Sequence, residues 1–315
     1  MPEHWRLGSV ERSVLESFDQ LGARPDRPHT KCAKVVDRVA QEFGVSPRYG
    51  YGALCAMAQP WLQNVPLVDF HGNYGSPDDD PAPPRYTEAR LAPAGVVALA
   101  GERGTGPAVP AALINGSLHV DGTAPPFSPT RVVATLLALA EGPELSDAEI
   151  IERVGPPESP TGCGIACDIG ELGAGKPTTL VMTAAIDYEE GEHELVIALT
   201  RFPLGVGCET IMQAIGSRVP GHERRDPDWD PADLDELDLP LRDVRNMSHG
   251  QTEKIVCLPN RHYVLDLIEP RLAAIWGVRT RTTVQLPAPL PVLMRELADQ
   301  DPAALRSALA ALVGR

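Results

Sequence analysis

Four groups of residues have types and spacing that could do chemistry. The first is Arg85-Tyr86. A tyrosine phenol, with a pKa of about 10, is a poor nucleophile until a cation stabilises its phenolate or a base takes its proton. An adjacent arginine supplies that charge, and it can also neutralise a phosphate oxygen as negative charge builds at phosphorus. The second group is Gly170-Glu171-Leu172-Gly173-Ala174-Gly175-Lys176-Pro177, a phosphate-binding loop pattern up to its last position. That position needs Ser or Thr to hold magnesium, and Pro177 offers neither a hydroxyl nor an N–H. The segment therefore reads as a glycine turn ahead of a strand. The third is Cys163 and Cys167, which have no second pair or histidine couple at zinc-ligand spacing nearby and read as buried thiols. The fourth, Asp78-Asp79-Asp80, could hold a metal or act in acid/base chemistry, but in a proline-rich loop it reads as solvated charge. No metal site is expected from the dispersed histidines.

The elements that must position these groups follow from periodicity. Val10, Val14, Phe18 and Leu21 share a helical face that Gly22 ends. A second helix is expected from a Thr30 cap to Gly44, with Ala33, Val36, Ala40 and Phe43 inward and Lys31, Lys34 and Arg38 more exposed. Residues 45–52 read as a turn-rich connector to a short helix at Ala53–Ala58. Two short helices on a tight connector fit a helix-turn-helix that places its second helix in a DNA groove, but taken alone the pattern favours a packed pair with no nucleic-acid role. Leu67–Gly75 reads as a strand running into a glycine turn, where a wing would sit. Pro77–Pro84 then emerges as an exposed loop that delivers Arg85-Tyr86-Thr87-Glu88.

Beyond residue 105 the pattern is α+β. Strands are expected at Val109–Ile114, Thr178–Asp187, His193–Thr200, Thr252–Leu258 and Val278–Gln285, the second and third forming a hairpin. Helices are expected at Thr130–Ala140, Ser146–Val154 with a capping box, Cys208–Arg218, Tyr263–Ile275 and Pro302–Val313.

The length of 315 residues suits about two domains. No apolar run reaches the ~18 residues of a membrane helix, so no membrane partner is expected. The start, Met1–Arg6, lacks a secretory pattern, and six cysteines in so long a chain do not make a disulfide scaffold, so a cytoplasmic setting is expected. The formal charge is −15, which argues against non-specific nucleic-acid affinity, yet residues 1–100 carry only −2 of it. Residues 221–240 carry −6 with three prolines and read as an exposed acidic insertion.

Three blocks in order narrow the reading. They are Met57-Ala58-Gln59-Pro60-Trp61, then Leu67 to Asp80 with its Gly72-Asn73-Tyr74-Gly75-Ser76 turn, then Arg85-Tyr86-Thr87-Glu88-Ala89-Arg90-Leu91. Together they resemble the A subunit of DNA gyrase and topoisomerase IV, which carries the breakage-reunion domain of type IIA topoisomerases. Lys31–Val36 is similar to the start of that family's helix-turn-helix and Leu113–Ser117 to the strand entering its DNA-intercalating loop. Val154–Gly162 and Arg201–Val206 are similar, more loosely, to landmarks of its tower domain.

The resemblance implies a winged-helix domain at residues 1–125, carrying the tyrosine loop, and a tower-like α/β domain at 126–315 with the acidic insertion. It implies that Tyr86 attacks a backbone phosphate while Arg85 stabilises the pentavalent phosphorus. Lys31, Lys34, Arg38, Arg48 and Arg90 would contact DNA, and Leu118 would be the wedge between bases. Mg2+ would be held by a separate gyrase B-type ATPase/TOPRIM partner, and the chain would be a nucleoid-associated homodimer on duplex DNA.

The departures are specific. Gly44–Arg48 reads Gly-Val-Ser-Pro-Arg where the family has His-Pro-His-Gly-Asp, and Arg48 replaces charge but not an imidazole. No Gly-Arg-Ala-Leu-Pro arm, exit-gate coiled coil or C-terminal propeller is recognised in these 315 residues. A weak or inactive paralogue that binds DNA, or binds gyrase to modulate or protect it, is the alternative.

Overall fold

A computed structural model describes residues 6–116, 124–142, 144–190, 195–219, 238–249, 252–260 and 265–313. The first stretch begins with helix α1, Ser9–Gln20, which buries Val14, Leu15 and Phe18 and turns off at Gly22 with φ +67°. Strand β1, Thr30–Lys31, leads straight into helix α2, Cys32–Phe43, which Gly44 closes in the left-handed conformation. Helix α3 spans Pro47–Ala56.

Two expectations change here. The buried face of α2 is Cys32, Val35, Val36 and Val39, a stripe rotated from the expected one, and Phe43 is 41% exposed. The supposed connector is itself helix, because Ser46 accepts from the Tyr49 N–H and Pro47, at the first position, has its φ preset for a helix. The turn between α2 and α3 therefore shrinks to residues 44–46. Gly50 is tolerated inside α3 because it faces α2, where a Cβ would press on Val39 Cγ1 at 3.3 Å.

Strands β2, Val68–His71, and β3, Glu88–Leu91, join β1 in an antiparallel sheet of order β1-β3-β2. Its register pairs His71 with Glu88 and Asp69 with Arg90. Val68, Ala89 and Leu91 are buried, while Lys31, Asp69, His71, Glu88 and Arg90 carry the polar face. Helix α4, Pro93–Arg103, runs behind the sheet, and Arg103 ties it to Glu16 and Asp19 of α1.

Val109–Ile114, expected as a strand, instead enters helix α5, Ala111–Asn115. Pro110 starts it, its carbonyl accepting from the Ile114 N–H at 2.9 Å. Buried Asn115 then does what a strand neighbour would have done. Its side chain accepts from Val65 N–H at 2.8 Å and donates to Val65 C=O at 2.9 Å. The chain continues through α6, Pro129–Glu141, α7, Asp147–Val154, capped by Ser146 and Glu149 as expected, β4, Gly164–Ala166, and α8, Ile169–Gly173. The phosphate-loop-like residues lie on α8 and the turn after it, and the chain then enters a strand.

That strand is β5, Thr178–Thr183, and the expected single strand to Asp187 breaks at Ala184 into β6, Ala185–Glu190. The break has a physical cause: β5 pairs with one sheet and β6 with another, and the Ala184 N–H between them donates to Val278 C=O at 2.8 Å. Strand β7, Leu195–Thr200, helix α9, Cys208–Gly216, strands β8, Leu241–Asn246, and β9, Lys254–Pro259, and helix α10, Leu265–Ala273, follow. Strand β10, Arg279–Val284, and helices α11, Leu290–Ala298, and α12, Pro302–Val313, end the described chain. The sheets are β10-β5-β4 and β6-β7-β9-β8, both antiparallel.

This is an α+β protein with twelve helices among the described residues. Its buried side chains form two clusters. The larger spans Val14 to Leu312 and runs across residue 125, with α12 packed on both α4 and α6, and α6 in turn on α7 and α11. The smaller, Ala184 to Val278, is the four-stranded sheet with α9 and α10. Most of the acidic segment 221–240, and Leu118, lie outside the described residues.

Candidate functional site

The loop from Gly72 to Thr87 joins β2 to β3 and carries Arg85-Tyr86 at its end. Tyr86 is 64% exposed, and the Arg85 guanidinium carbon stands 4.7 Å from the centre of its ring. Around this exposed pair the backbone is fixed on both sides. The Tyr86 N–H donates to Pro83 C=O at 2.9 Å, Ala33 N–H to Pro84 C=O at 3.0 Å, and Cys32 N–H to Thr87 C=O at 3.0 Å. The first turn of α2 thus spends two of its unpaired N–H groups on the chain flanking Tyr86.

Thr87 is 1% exposed, and its hydroxyl meets the Tyr51 hydroxyl at 3.0 Å. Tyr51 also donates to Ala82 C=O at 2.5 Å, which holds the loop from beneath, and burial pushes its own phenol above the ordinary range. Gly72, at φ +118°, leaves room for Thr87, since a Cβ there would stand 3.3 Å from Thr87 Cγ2. The three sequence blocks meet at this loop. Gln59 donates to Tyr74 C=O at 2.7 Å, and the Tyr74 ring packs against Trp61 at 5.5 Å and edge-on to Phe70 at 5.3 Å. The thiols of Cys32 and Cys55 under α2 and α3 are pushed up to about 11 and about 12 by burial, so they stay neutral packing groups.

The basic residues divide. Lys31 is exposed but paired with Glu88 at 2.9 Å, which holds the Glu88 carboxyl below its ordinary range. Arg38 pairs with Glu42 one turn on at 2.5 Å. Arg90 is committed internally, with Nε donating to Asp69 Oδ2 at 2.7 Å and Nη1 to Arg27 C=O at 2.8 Å. Lys34 and Arg48 lie exposed on α2 and α3 with no ion pair described for either. Arg48 stands at the start of α3, where a positive charge opposes the helix dipole, so the fold gains nothing from it there. Tyr49 beside it is 73% exposed.

Comparison with known proteins bears on this loop directly. Residues 7–100 match the family model for the A subunit of DNA gyrase/topoisomerase IV. Over this stretch the chain is similar to that family. It is 36% identical to the DNA gyrase A subunit of Synechocystis sp. over 184 residues, half of this chain and 21% of that protein. It is 31% identical to the DNA topoisomerase 4 A subunit of the same organism over 249 residues, 68% of this chain and 27% of that protein. With the DNA gyrase A subunit of Thermotoga maritima it shares 28% identity over 282 residues, 79% of this chain and 33% of that protein. The chain spans about a fifth to a third of the length of these relatives.

Sequence reasoning placed the tyrosine pair on an exposed loop but missed its supports, Tyr51 and Thr87. Thr87 was visible within Arg-Tyr-Thr-Glu, whereas nothing in the local pattern marks Tyr51, which lies 36 residues away. It read Asp78 as solvated charge, and the residue is exposed, but it also accepts from the Glu209 N–H of α9 at 3.0 Å. Among the described residues no group of three or more His, Cys, Asp or Glu side chains could hold a metal ion. No helix among them is long and apolar enough to cross a membrane.

Proposed function

We propose that this chain is a module of the type IIA topoisomerase kind, equivalent to part of the A subunit, that binds duplex DNA and cleaves and reseals it through Tyr86. The observation that carries the reading is the presentation of Arg85-Tyr86. The phenol is exposed while the backbone on either side of the pair is hydrogen-bonded to the start of α2, within the stretch that matches the family model. A nucleophile held this way loses little freedom when it attacks, which is the source of rate in an oriented site.

In the step proposed, Tyr86 Oη gives up its proton and bonds to a backbone phosphorus while the bond from phosphorus to the sugar oxygen breaks. The sugar oxygen leaves and takes up a proton. Attack by that same oxygen on the phosphotyrosine reverses the exchange, so no water is consumed and the duplex is resealed. Arg85 neutralises the oxygens of the five-coordinate phosphorus. In this reading α1 to α3 with the sheet β1-β3-β2 form a winged helix, and the later antiparallel sheets belong to a tower. Lys34 and Arg48 are the basic residues open to DNA, with Lys31 and Arg38 released from Glu88 and Glu42 when phosphate competes. Arg90 holds Asp69 rather than DNA. The wedge assigned to Leu118 falls in residues 117–123, outside those described. Magnesium belongs to a gyrase B-type ATPase/TOPRIM partner, and the module acts as a homodimer, in the cytoplasm on the nucleoid.

The test is supercoiled plasmid incubated with the purified chain, magnesium and a gyrase-type ATPase/TOPRIM partner, then stopped with detergent. Protein-linked breaks that vanish in Tyr86→Phe are expected, and no covalent product across several partners would refute the proposal. The Gly-Val-Ser-Pro-Arg sequence at 44–48 favours a second reading, a non-cleaving paralogue that binds DNA or gyrase and modulates or protects it. Altered supercoiling by the host gyrase on adding the Tyr86→Phe chain, with no covalent product from the wild type, would select that reading.

A further inference from the structure

The acidic tip of the tyrosine loop is exposed, yet it makes a contact with a distant helix. Asp78 Oδ2 accepts from the Glu209 N–H, in the first turn of α9, at 3.0 Å. Helix α9 has no side-chain cap of its own, because its N-cap position is Gly207. A Cβ on Gly207 would stand 1.9 Å from Asp78 Oδ1 and 2.4 Å from its Cγ, so the glycine leaves the space that the aspartate fills. The φ of Gly207 is −92°, open to any residue, so backbone freedom does not require glycine here and the close approach of Asp78 does. Cap and helix lie 131 positions apart, one in the loop between β2 and β3 and the other in the smaller core.

The loop is stiff enough to transmit this contact. The Asp78 and Asp79 N–H groups donate to Ser76 Oγ at 3.2 and 3.0 Å, and Ser76 N–H to Asp79 C=O at 3.0 Å. Ala82 N–H donates to Asn73 C=O at 3.0 Å, closing the loop at its base, and Tyr51 holds the Ala82 carbonyl. From Ala82 the chain runs through Pro83 and Pro84, both with preset φ, to Arg85-Tyr86. A second carboxyl, that of Glu253, lies near the Cys208 N–H at the same helix start. Asp78, Asp79, Glu209, Glu253 and the Cys208 thiol are the titratable groups gathered there.

We propose that Asp78 is a positioning residue. By capping α9 it latches the Tyr86 loop to the smaller core, so that movement of the α9 region and movement of the nucleophile are coupled. The latch rests on observed contacts, and only its consequence for cleavage rests on the function proposed above.

Amide exchange followed by mass spectrometry on the full chain tests it, comparing wild type with Asp78→Ala, Gly207→Ala, the double variant and Asp78→Asn. Loss of a helix cap corresponds to about fivefold faster exchange. Both single alanine variants should show that increase at residues 207–211 and again at 73–82. The double variant should show no more than either single, since both remove one contact. Asp78→Asn keeps an oxygen acceptor and should restore wild-type exchange. With DNA and partner present, the alanine variants should slow the cleavage rate at saturating DNA about fivefold or more while leaving DNA affinity unchanged. Unchanged exchange at 73–82 in both alanine variants overturns the latch. The expected exchange pattern in a wild type that forms no covalent product upholds the latch and overturns the cleavage reading instead.

Discussion

Glu253 provides a test of the electrostatics that owes nothing to the proposed activity. Its carboxyl is pushed from an ordinary 4.5 up to about 7, first by burial and then by the charge of Asp78, against which the Cys208 N–H acts only in part. Because the folded-state value is raised, the native protein keeps a proton that the unfolded chain gives up. Stability therefore falls as pH rises from about 4.5 to about 7 and stays at the lower level above that. The full interval corresponds to roughly 3 kcal/mol. The side chain is only partly withdrawn from water, so solvent screening reduces the expected effect to about 1–2 kcal/mol. Glu253→Gln keeps the size of the side chain and a carbonyl oxygen and cannot ionise, so it mimics the protonated form at every pH. Urea unfolding of both proteins should give coincident midpoints near about pH 4.5, with the variant more stable by about 1–2 kcal/mol at about pH 8.5. Comparing the two proteins at each pH cancels the carboxyls that move the other way, such as Asp19 beside Arg103 and Glu88 beside Lys31. A constant difference between them across that pH range would refute the reasoning.

Other consequences follow from single contacts. Tyr51→Phe removes the donor to Ala82 C=O and the partner of Thr87, and should cost about 1–2 kcal/mol in urea unfolding, with faster proteolysis of the 73–84 loop. Gly95→Ala would ordinarily stabilise a helix interior, but here a Cβ would stand 2.1 Å from Leu67 C=O, so thermal unfolding should show a loss of about 1–3 kcal/mol. Asn64→Ala deprives the Ile114, Phe127 and Glu158 carbonyls of one shared donor, and should cost about 2–3 kcal/mol by urea titration.

Much of the helical framework was legible along the chain. Helix starts at Ser146 and stops at Gly22 and Gly44 are local events, decided by whether a side chain can cap free N–H groups or a residue can take a positive φ. Legibility failed where a local pattern served a distant partner. Val109–Ile114 is apolar with a β-branched residue at each end, yet from Ala111 it is helix, and Asn115 at the end of that helix pairs with the Val65 backbone 50 residues away. Thr178–Asp187 looks like one strand, and two sheets divide it at Ala184. The helix start at Pro47 was masked by Gly50 and Gly52, the first of which is there to let α3 approach Val39.

The candidate site divides the same way. Residue order alone determined that an arginine and a tyrosine sit together after a proline-rich loop, and the blocks around them carried the resemblance to the gyrase and topoisomerase IV family. Covalent neighbours and local φ preferences suffice for that. Tertiary structure alone decided that Thr87 is buried so that Tyr86 can be exposed, that Arg90 is spent on Asp69, and that an aspartate from the acidic loop caps a helix of the other core. Each is a contact between residues far apart in the chain, whose strength depends on distance and desolvation, and neither quantity exists until the chain has folded.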